Sequence, residues 1–155
     1  MKKITIFSIL FFIIDLVVKT IVKNSIELYS SIKIIPNFFN LTYVQNTGAA
    51  FSILENNRIL FIIVALIAIF FIYSYLNKIN CFSKFNIICY SLLIGGIIGN
   101  LFDRIVYGYV IDYLSFNIFG YNFPVFNLAD SYIVIAVFLI LLKEIKEAYG
   151  KVSSR

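Results

Sequence analysis

Apolar residues are concentrated in four long runs, at about residues 4–22, 59–76, 85–104 and 127–145. A helix crosses the hydrocarbon core of a bilayer with about 20 mostly apolar residues, so each run has about the required length. The pattern predicts an all-α membrane protein in which residues 1–155 form a single domain with four transmembrane helices.

Two longer connections, at about residues 23–58 and 105–126, fall on the same side of the membrane if all four runs cross it. Phe38–Leu54 is rich in Phe, Thr, Tyr, Val and Ile and centres on Asn46-Thr47-Gly48, a turn signal between two strand-like runs. We expect a small extracytoplasmic β cradle here. Ile26–Pro36 mixes apolar and polar residues and is expected to form an interfacial segment.

Basic residues indicate which side faces the cytoplasm. The chain is 61% hydrophobic and 14% charged, with a net charge of +5. Eight of its 13 basic residues fall on the side opposite the long connections: Lys2, Lys3, Lys78, Lys84, Lys143, Lys146, Lys151 and Arg155. By the positive-inside rule that side is cytoplasmic, so both termini are expected in the cytoplasm. Because these charges are scattered at helix ends, they predict contact with membrane lipids and no nucleic-acid binding.

The N-terminus also has features of a secretory signal peptide, because Lys2 and Lys3 precede an apolar run. However, Asp15 and Lys19 lie inside that run, and no A-x-A-like cleavage site follows. A retained first transmembrane helix is therefore the favoured interpretation.

The chain contains no histidine, which excludes H-E-x-x-H metalloprotease chemistry and Ser–His proteolysis. Its two cysteines, Cys81 and Cys89, are expected in a cytoplasmic loop and in the third helix, so a structural disulfide is not expected.

Four aspartates, Asp15, Asp103, Asp112 and Asp130, fall where predicted helices approach the external side. A carboxylate at the centre of a membrane helix costs about 2.5–3.5 kcal/mol on insertion scales, so several of them point to a function. Asp112 and Asp130 flank the last external connection, which can bring them together. Two carboxylates sharing a site hold one proton between them and can activate a water. The alternative is two independent aspartates, one in a solvated loop and one at the start of the fourth helix, where Asn127 is a good N-cap.

Other polar residues share helix faces with these aspartates. Asp15 and Lys19 are four residues apart, so they either organise a polar site or form an ion pair whose lysine extends outward. Arg104 can pair with Asp103 at the helix end, or bind a substrate carbonyl or phosphate.

Two further residues of the third helix suggest how it packs. Asn100 lies one turn deeper than Arg104 and should bond a neighbouring helix or a ligand. The Gly95-x-x-x-Gly99 spacing permits close helix approach, within one chain in preference to a dimer.

Together these motifs resemble those of the bacterial lipoprotein signal peptidases (signal peptidase II), and the resemblance covers nearly the whole chain. The segments that carry it are Asp15 with Lys19, residues 44–51 (VQNTGAAF), 95–104 (GGIIGNLFDR) with 110–112 (VID), and 126–131 (FNLADS). Each is modestly specific alone, and their order and common side make the combination highly specific.

The resemblance implies an aspartic endopeptidase of the inner membrane that needs no metal or organic cofactor. Separately, we expect a monomer. Its substrates would be prolipoproteins carrying a diacylglyceryl group, cut just before the lipidated cysteine. Asp112 and Asp130 match the catalytic pair of the family. The residues that match its supporting motifs are Asp15, Lys19, Asn46, Gly48, Asn100, Asp103, Arg104, Asn127 and Ala129.

Two other classes of function remain open from the sequence. A small transporter could use the intramembrane Asp and Lys residues to relay ions, although paired broken helices are not evident. A non-catalytic lipid-binding or assembly protein is the second alternative. Among proteases, a GxGD-type enzyme is disfavoured because the chain lacks Gly-x-Gly-Asp.

Overall fold

The computed structural model describes residues 1–48, 54–79 and 83–153. Cys81 and the second strand-like run predicted after Gly48 lie outside the described residues.

Four helices, α1 (Lys2–Ser25), α2 (Arg58–Ile79), α3 (Lys84–Val106) and α4 (Leu128–Ser153), correspond to the four apolar runs. Within the described residues, α1, α2 as far as Lys78, and α3 are long and apolar enough to cross a membrane. These are three of the four predicted spans. Helix α4 has 26 residues but carries more charge, with Asp130 in its first turn and Lys143 and Glu144 farther along.

Helix α4 extends beyond the predicted end at residue 145. The extra turns begin with Lys146, Glu147 and Ala148, which are residues that favour helix. Lys143 and Glu147, four residues apart, add an ion pair of 3.4 Å. The helix therefore continues after its apolar stretch ends.

Helix α3 is the centre of the bundle and packs against α1, α2 and α4. A Cβ atom added at Gly95 would lie 2.8 Å from Phe11 Cβ, and one at Gly99 would lie 2.5 Å from Asp15 Oδ2. One at Gly96 would lie 2.5 Å from the backbone oxygen of Ala129. These glycines allow α1 and α4 to approach α3 closely, which is the packing within one chain that the sequence favoured.

The sheet is larger than the predicted β element. It is antiparallel, in the order β1 (Ser31–Ile35), β2 (Phe39–Asn46), β3 (Val110–Ile118) and β4 (Tyr121–Asn122). Strand β1 lies within the predicted interfacial segment, and β3 and β4 lie within the second external connection. The description all-α therefore needs correction, because most of the chain is helical but the connections supply a four-stranded sheet. The isolated β-propensity of each short stretch does not reveal a pairing between strands more than 60 residues apart.

Strand β3 connects the sheet to the helices. Its first four residues, Val110, Ile111, Asp112 and Tyr113, are buried. Ile111 and Tyr113 pack against Val22 and Ile26 at the end of α1. In the neighbouring strand β2, Val44 is the residue that pairs with Asp112. The strand thus carries Asp112 from the sheet into the junction between the sheet and the helix ends.

We predict that Gly99→Ala destabilises the protein by about 1–3 kcal/mol, the usual cost of overpacking, because the new methyl group collides with the Asp15 carboxylate. Thermal unfolding in detergent measures the effect. Gly150→Ala is the matched control, since a Cβ there meets no atom within 4 Å. Equal melting temperatures for both variants would show that α1 and α3 are not packed this closely.

Candidate active site

Asp112 and Asp130 are brought together by Asn127, the residue that precedes α4. Asn127 Nδ2 donates a hydrogen bond of 2.7 Å to Asp112 Oδ1. The backbone N–H of Asn127 donates a bond of 3.2 Å to Asp130 Oδ2. Both aspartates line the same cavity. One asparagine therefore bonds both carboxylates, which are 18 positions apart in the sequence.

Asn127 also caps α4, a role that the sequence suggested only within the alternative of two independent aspartates. Its Oδ1 accepts a bond of 2.8 Å from the backbone N–H of Asp130. Since the Asp130 carboxylate bonds back to the Asn127 N–H, the two residues form a reciprocal cap like a capping box. Asn127 thus caps the helix and bonds both aspartates at the same time. The alternative of an Asp112 in a solvated loop is wrong, because Asp112 is buried within β3.

Each carboxylate also accepts a hydrogen bond from another asparagine besides Asn127. Asn100 Nδ2 donates to Asp130 Oδ1 at 2.7 Å, and Asn46 Nδ2 donates to Asp112 Oδ2 at 2.8 Å. The backbone N–H of Gly48 donates to Asn46 Oδ1 at 2.9 Å, an Asx-type turn that directs the Asn46 amide nitrogen toward Asp112. These bonds give a structural role to three of the residues that match the supporting motifs of the family, namely Asn46, Gly48 and Asn100.

Lys19 is buried beneath this pair, with a side chain only 1% exposed. Its ammonium group lies 2.8 Å from Asp15 Oδ2 and 3.0 Å from Asp103 Oδ2. It also donates a bond of 3.0 Å to Asn100 Oδ1. The alternative of a lysine extending outward from a simple ion pair is therefore wrong. Three oxygen partners replace the water that the buried charge has lost.

The carboxylates bound to Lys19 also reach the two segments that carry Asp112 and Asp130. Asp15 Oδ1 accepts a bond of 3.0 Å from the backbone N–H of Ala129, in the first turn of α4. Asp103 Oδ2 accepts a bond of 3.1 Å from the backbone N–H of Ile111, next to Asp112. The ion cluster of Asp15, Lys19 and Asp103 thus holds both segments in place.

Arg104 bonds backbone oxygens. Of the two alternatives that the sequence left open for it, the ion pair with Asp103 is not formed among the described residues, and the Asp103 carboxylate is instead paired with Lys19. Arg104 Nη2 donates to the Gly48 carbonyl at 2.9 Å, and Nη1 makes a longer contact of 3.4 Å with the Asn100 carbonyl. The guanidinium carbon lies 4.7 Å from the centre of the Phe61 ring. Arg104 also lines the cavity that contains Asp112 and Asp130.

That cavity has a volume of about 550 Å³ and two chemically different parts. Its polar part is formed by Asn46, Asn100, Arg104, Asp112, Asp130 and Ser131, and its apolar part by Val110, Phe123, Pro124, Val125, Phe126, Ile133, Val134 and Ile135. Val134 is 67% exposed, so the apolar wall continues onto the outer surface of α4. The cavity is suited to a molecule that is polar at one end and apolar at the other.

Burial raises the pKa of Asp112 to about 7, and the nearby charge of Asp130 acts in the same direction. The hydrogen bonds from Asn46 and Asn127 act in the opposite direction. Near neutral pH, Asp112 is therefore partly protonated and able to donate a proton or a hydrogen bond inside the cavity.

Two contacts at the site were not expected from the sequence. The Tyr113 hydroxyl accepts a bond of 3.2 Å from the backbone N–H of Leu128, at the start of α4. The Phe61 ring contacts Arg104 from α2. The position of Tyr113 directly after Asp112 is a weak sequence signal that it belongs to the site. Phe61 lies in an apolar run, where nothing in the sequence marks it as a site residue.

Within residues 1–48, 54–79 and 83–153, the structure contains no group of three or more His, Cys, Asp or Glu side chains placed to hold a metal ion.

Comparison with known proteins identifies the family. The family described as "Signal peptidase (SPase) II" matches residues 7–146. The chain belongs to the signal peptidase II family. It is therefore a peptidase, and its apolar helices agree with the location of such enzymes in the bacterial inner membrane.

Similar proteins support this assignment. The lipoprotein signal peptidase of Halothermothrix orenii is 46% identical over 130 residues, covering 84% of this chain and 86% of that protein. The lipoprotein signal peptidase of Staphylococcus haemolyticus is 38% identical over 144 residues, covering 93% and 91%.

Two solved structures described as bacterial membrane enzymes share the fold. One, at 2.3 Å resolution, has a TM-score of 0.90 at 34% identity and covers 97% of this chain and 92% of that one. The other, at 1.9 Å, has a TM-score of 0.84 at 34% identity and covers 94% of both chains.

We predict that Lys19→Met lowers the free energy of unfolding by about 3–5 kcal/mol, because it leaves the buried Asp15 and Asp103 carboxylates without their partner. Chemical or thermal unfolding in detergent measures the loss. Lys3→Met, an exposed position on the same helix, is the control and should change stability little. Similar stabilities for the two variants would refute a buried ion cluster.

We also predict that the protein becomes less stable as pH rises from about 4 to about 7. The pKa of Asp112 is about 7 in the folded protein, against an ordinary value of 3.8. The folded state therefore binds the proton more tightly, and this stabilisation is lost as pH rises through the folded pKa. Melting temperatures at pH 5 and pH 8 should differ less in Asp112→Asn than in the unsubstituted protein. An equal difference in both would contradict the raised pKa.

Proposed function

We propose that this protein is an aspartic endopeptidase that removes signal peptides from diacylglyceryl-modified prolipoproteins, cutting just before the lipidated cysteine. The observation that carries the proposal is that Asp112 and Asp130 are both bonded to Asn127 and line one cavity. Membership in the signal peptidase II family and the names of the similar proteins supply the substrate class.

In the proposed reaction, the two carboxyl groups hold one proton between them. The ionised group accepts a proton from a water molecule while the protonated group donates a hydrogen bond to the scissile carbonyl. The water oxygen adds to the carbonyl carbon and forms a tetrahedral diol. The C–N bond then breaks as the amine receives a proton from the pair. Because the two groups titrate together, we assign neither a fixed role as acid or base.

The supporting residues keep the reacting groups in place. Asn46, Asn100 and Asn127 orient the carboxylates through amide N–H donors. Asp15, Lys19 and Asp103 support the segments that carry Asp112 and Asp130, partly through the Ala129 and Ile111 backbone.

Arg104 is proposed to bind a carbonyl of the substrate. It holds the Gly48 carbonyl. Of its five N–H donors, only two bond other groups among the described residues. Since the side chain lines the cavity, the remaining donors are available to a peptide placed there.

The same proposal places the protein in the membrane. Helix α4 is the fourth span, both termini are cytoplasmic, and the cavity opens at the extracytoplasmic interface. The apolar wall near Ile133 and Val134 would receive the acyl chains of the substrate, so the protein needs no closed lipid pocket. The functional unit is a monomer surrounded by membrane lipids, and the reaction requires no cofactor.

We predict that Asp112→Asn and Asp130→Asn each abolish cleavage of a diacylated precursor, because neither variant can both activate water and donate a proton. The assay incubates purified protein with diacylated and unlipidated precursors side by side and separates the products on a gel. Cleavage by the unsubstituted protein is expected for the diacylated precursor alone.

Glu147→Gln is the matched control, since Glu147 is an exposed carboxylate on α4 away from the cavity. It should cleave as the unsubstituted protein does. Normal turnover by both Asp variants would reject the aspartic mechanism. It would mean that groups other than these two aspartates hydrolyse the substrate.

A further inference from the structure

We propose that Phe61 is a positioning residue that holds the Arg104 guanidinium in the orientation that faces the cavity. The inference rests on the proposed function and adds α2 to the active site, a helix to which neither the sequence nor the family match assigns a role.

The contact itself is a cation–π interaction. The guanidinium carbon of Arg104 lies 4.7 Å from the centre of the Phe61 ring, within the distance of about 6 Å at which such pairs attract. Arg104 also donates to the Gly48 carbonyl at 2.9 Å. An arginine side chain has many rotamers, and a planar group bonded at one edge can still swing. The aromatic face restricts that motion.

The first turn of α2 is fixed independently of this contact. Arg58 Nη2 donates a bond of 2.7 Å to the carbonyl oxygen of Ile105, the residue after Arg104. This bond ties the start of α2 to the end of α3, so Phe61 is presented from a fixed backbone. The rest of α2 is largely exposed, with Phe70 66% and Phe71 64% accessible. Among the described residues, Phe61 is the phenylalanine of this helix whose ring contacts a charged group.

The electrostatic surroundings explain why Arg104 needs a support. The carboxylates of Asp130, Asp112 and Asp103 are all close enough to attract the guanidinium group. Without the ring, the guanidinium is free to turn toward one of these carboxylates. A direct ion pair with either cavity aspartate would occupy the N–H donors that a substrate carbonyl needs. The ring favours the orientation that leaves them available.

Cleavage kinetics on the diacylated precursor test the proposal. Phe61→Leu removes the aromatic face but keeps the apolar volume, and we expect kcat/KM to fall about five-fold, mainly through a higher KM. Phe61→Tyr keeps the face and should stay within about two-fold of the unsubstituted protein. Phe70→Leu makes the same change on the lipid-facing side of α2 and should have no effect.

A double-variant cycle separates positioning from general destabilisation. If Phe61 acts through Arg104, then adding Phe61→Leu to Arg104→Ala should change kcat/KM by less than about two-fold. If Phe61 had a purely structural role, Phe61→Leu would lower kcat/KM by the same factor whether residue 104 is Arg or Ala. Equal factors in the two backgrounds would overturn the proposal. So would a Phe61→Tyr variant as impaired as Phe61→Leu, or a Phe61→Leu variant with unchanged kinetics.

The proposed function fails separately. If the unsubstituted protein cuts the precursor and Asp112→Asn does not, the proposed function stands whatever Phe61 does. An unsubstituted protein that leaves the diacylated precursor intact overturns both inferences.

Discussion

The ammonium group of Lys19 is the contact on which the buried polar interior depends. It binds Asp15, Asp103 and the side-chain oxygen of Asn100. Because that oxygen is occupied by the lysine, the Asn100 amide nitrogen must face the other way, toward Asp130. The same ion cluster reaches the Ala129 and Ile111 backbone. A single buried cation thus determines the orientation of the groups above it.

The site is costly to maintain, which is consistent with a function. If all were ionised, the four aspartates of the site would carry two more negative charges than Lys19 and Arg104 neutralise; these are Asp15, Asp103, Asp112 and Asp130. Burial and the repulsion between carboxylates together favour keeping one proton on the pair of Asp112 and Asp130. The proposed acid–base hydrolysis requires this ionisation state. Under the proposed function, the protein gives up stability at neutral pH to keep these carboxylates in a reactive arrangement, as is common at active sites.

The sequence predicted the features that arise from periodicity and local chemistry. The apolar runs predicted the four helices, and Asn127 was identified as a good N-cap for the last one. Asp112 and Asp130 could be paired because the connection between them is short. The glycines of α3 indicated close packing, and their neighbours in α1 and α4 agree.

The features that the sequence could not predict depend on contacts between distant segments. The pairing of β2 with β3 joins strands separated by an entire helical hairpin, and no local pattern in Ser31–Ile35 marks it as the edge of that sheet. Asp103 is next to Arg104 in the sequence, but in the folded protein the Asp103 carboxylate forms an ion pair with Lys19. Phe61 is indistinguishable by sequence from other phenylalanines of α2, because the role proposed for it comes from its contact with Arg104.

The central claim is that Asp112 and Asp130 share one proton. Infrared spectroscopy of protein labelled with ¹³C at the aspartate carboxyl groups measures it directly, since a protonated carboxyl absorbs apart from a carboxylate. At pH 6, below the pKa of about 7 for Asp112, we expect a protonated aspartate band that fades as the pH is raised to 8 and is missing in Asp112→Asn. A spectrum with carboxylates alone at pH 6, or a band that persists in Asp112→Asn, would contradict the shared proton.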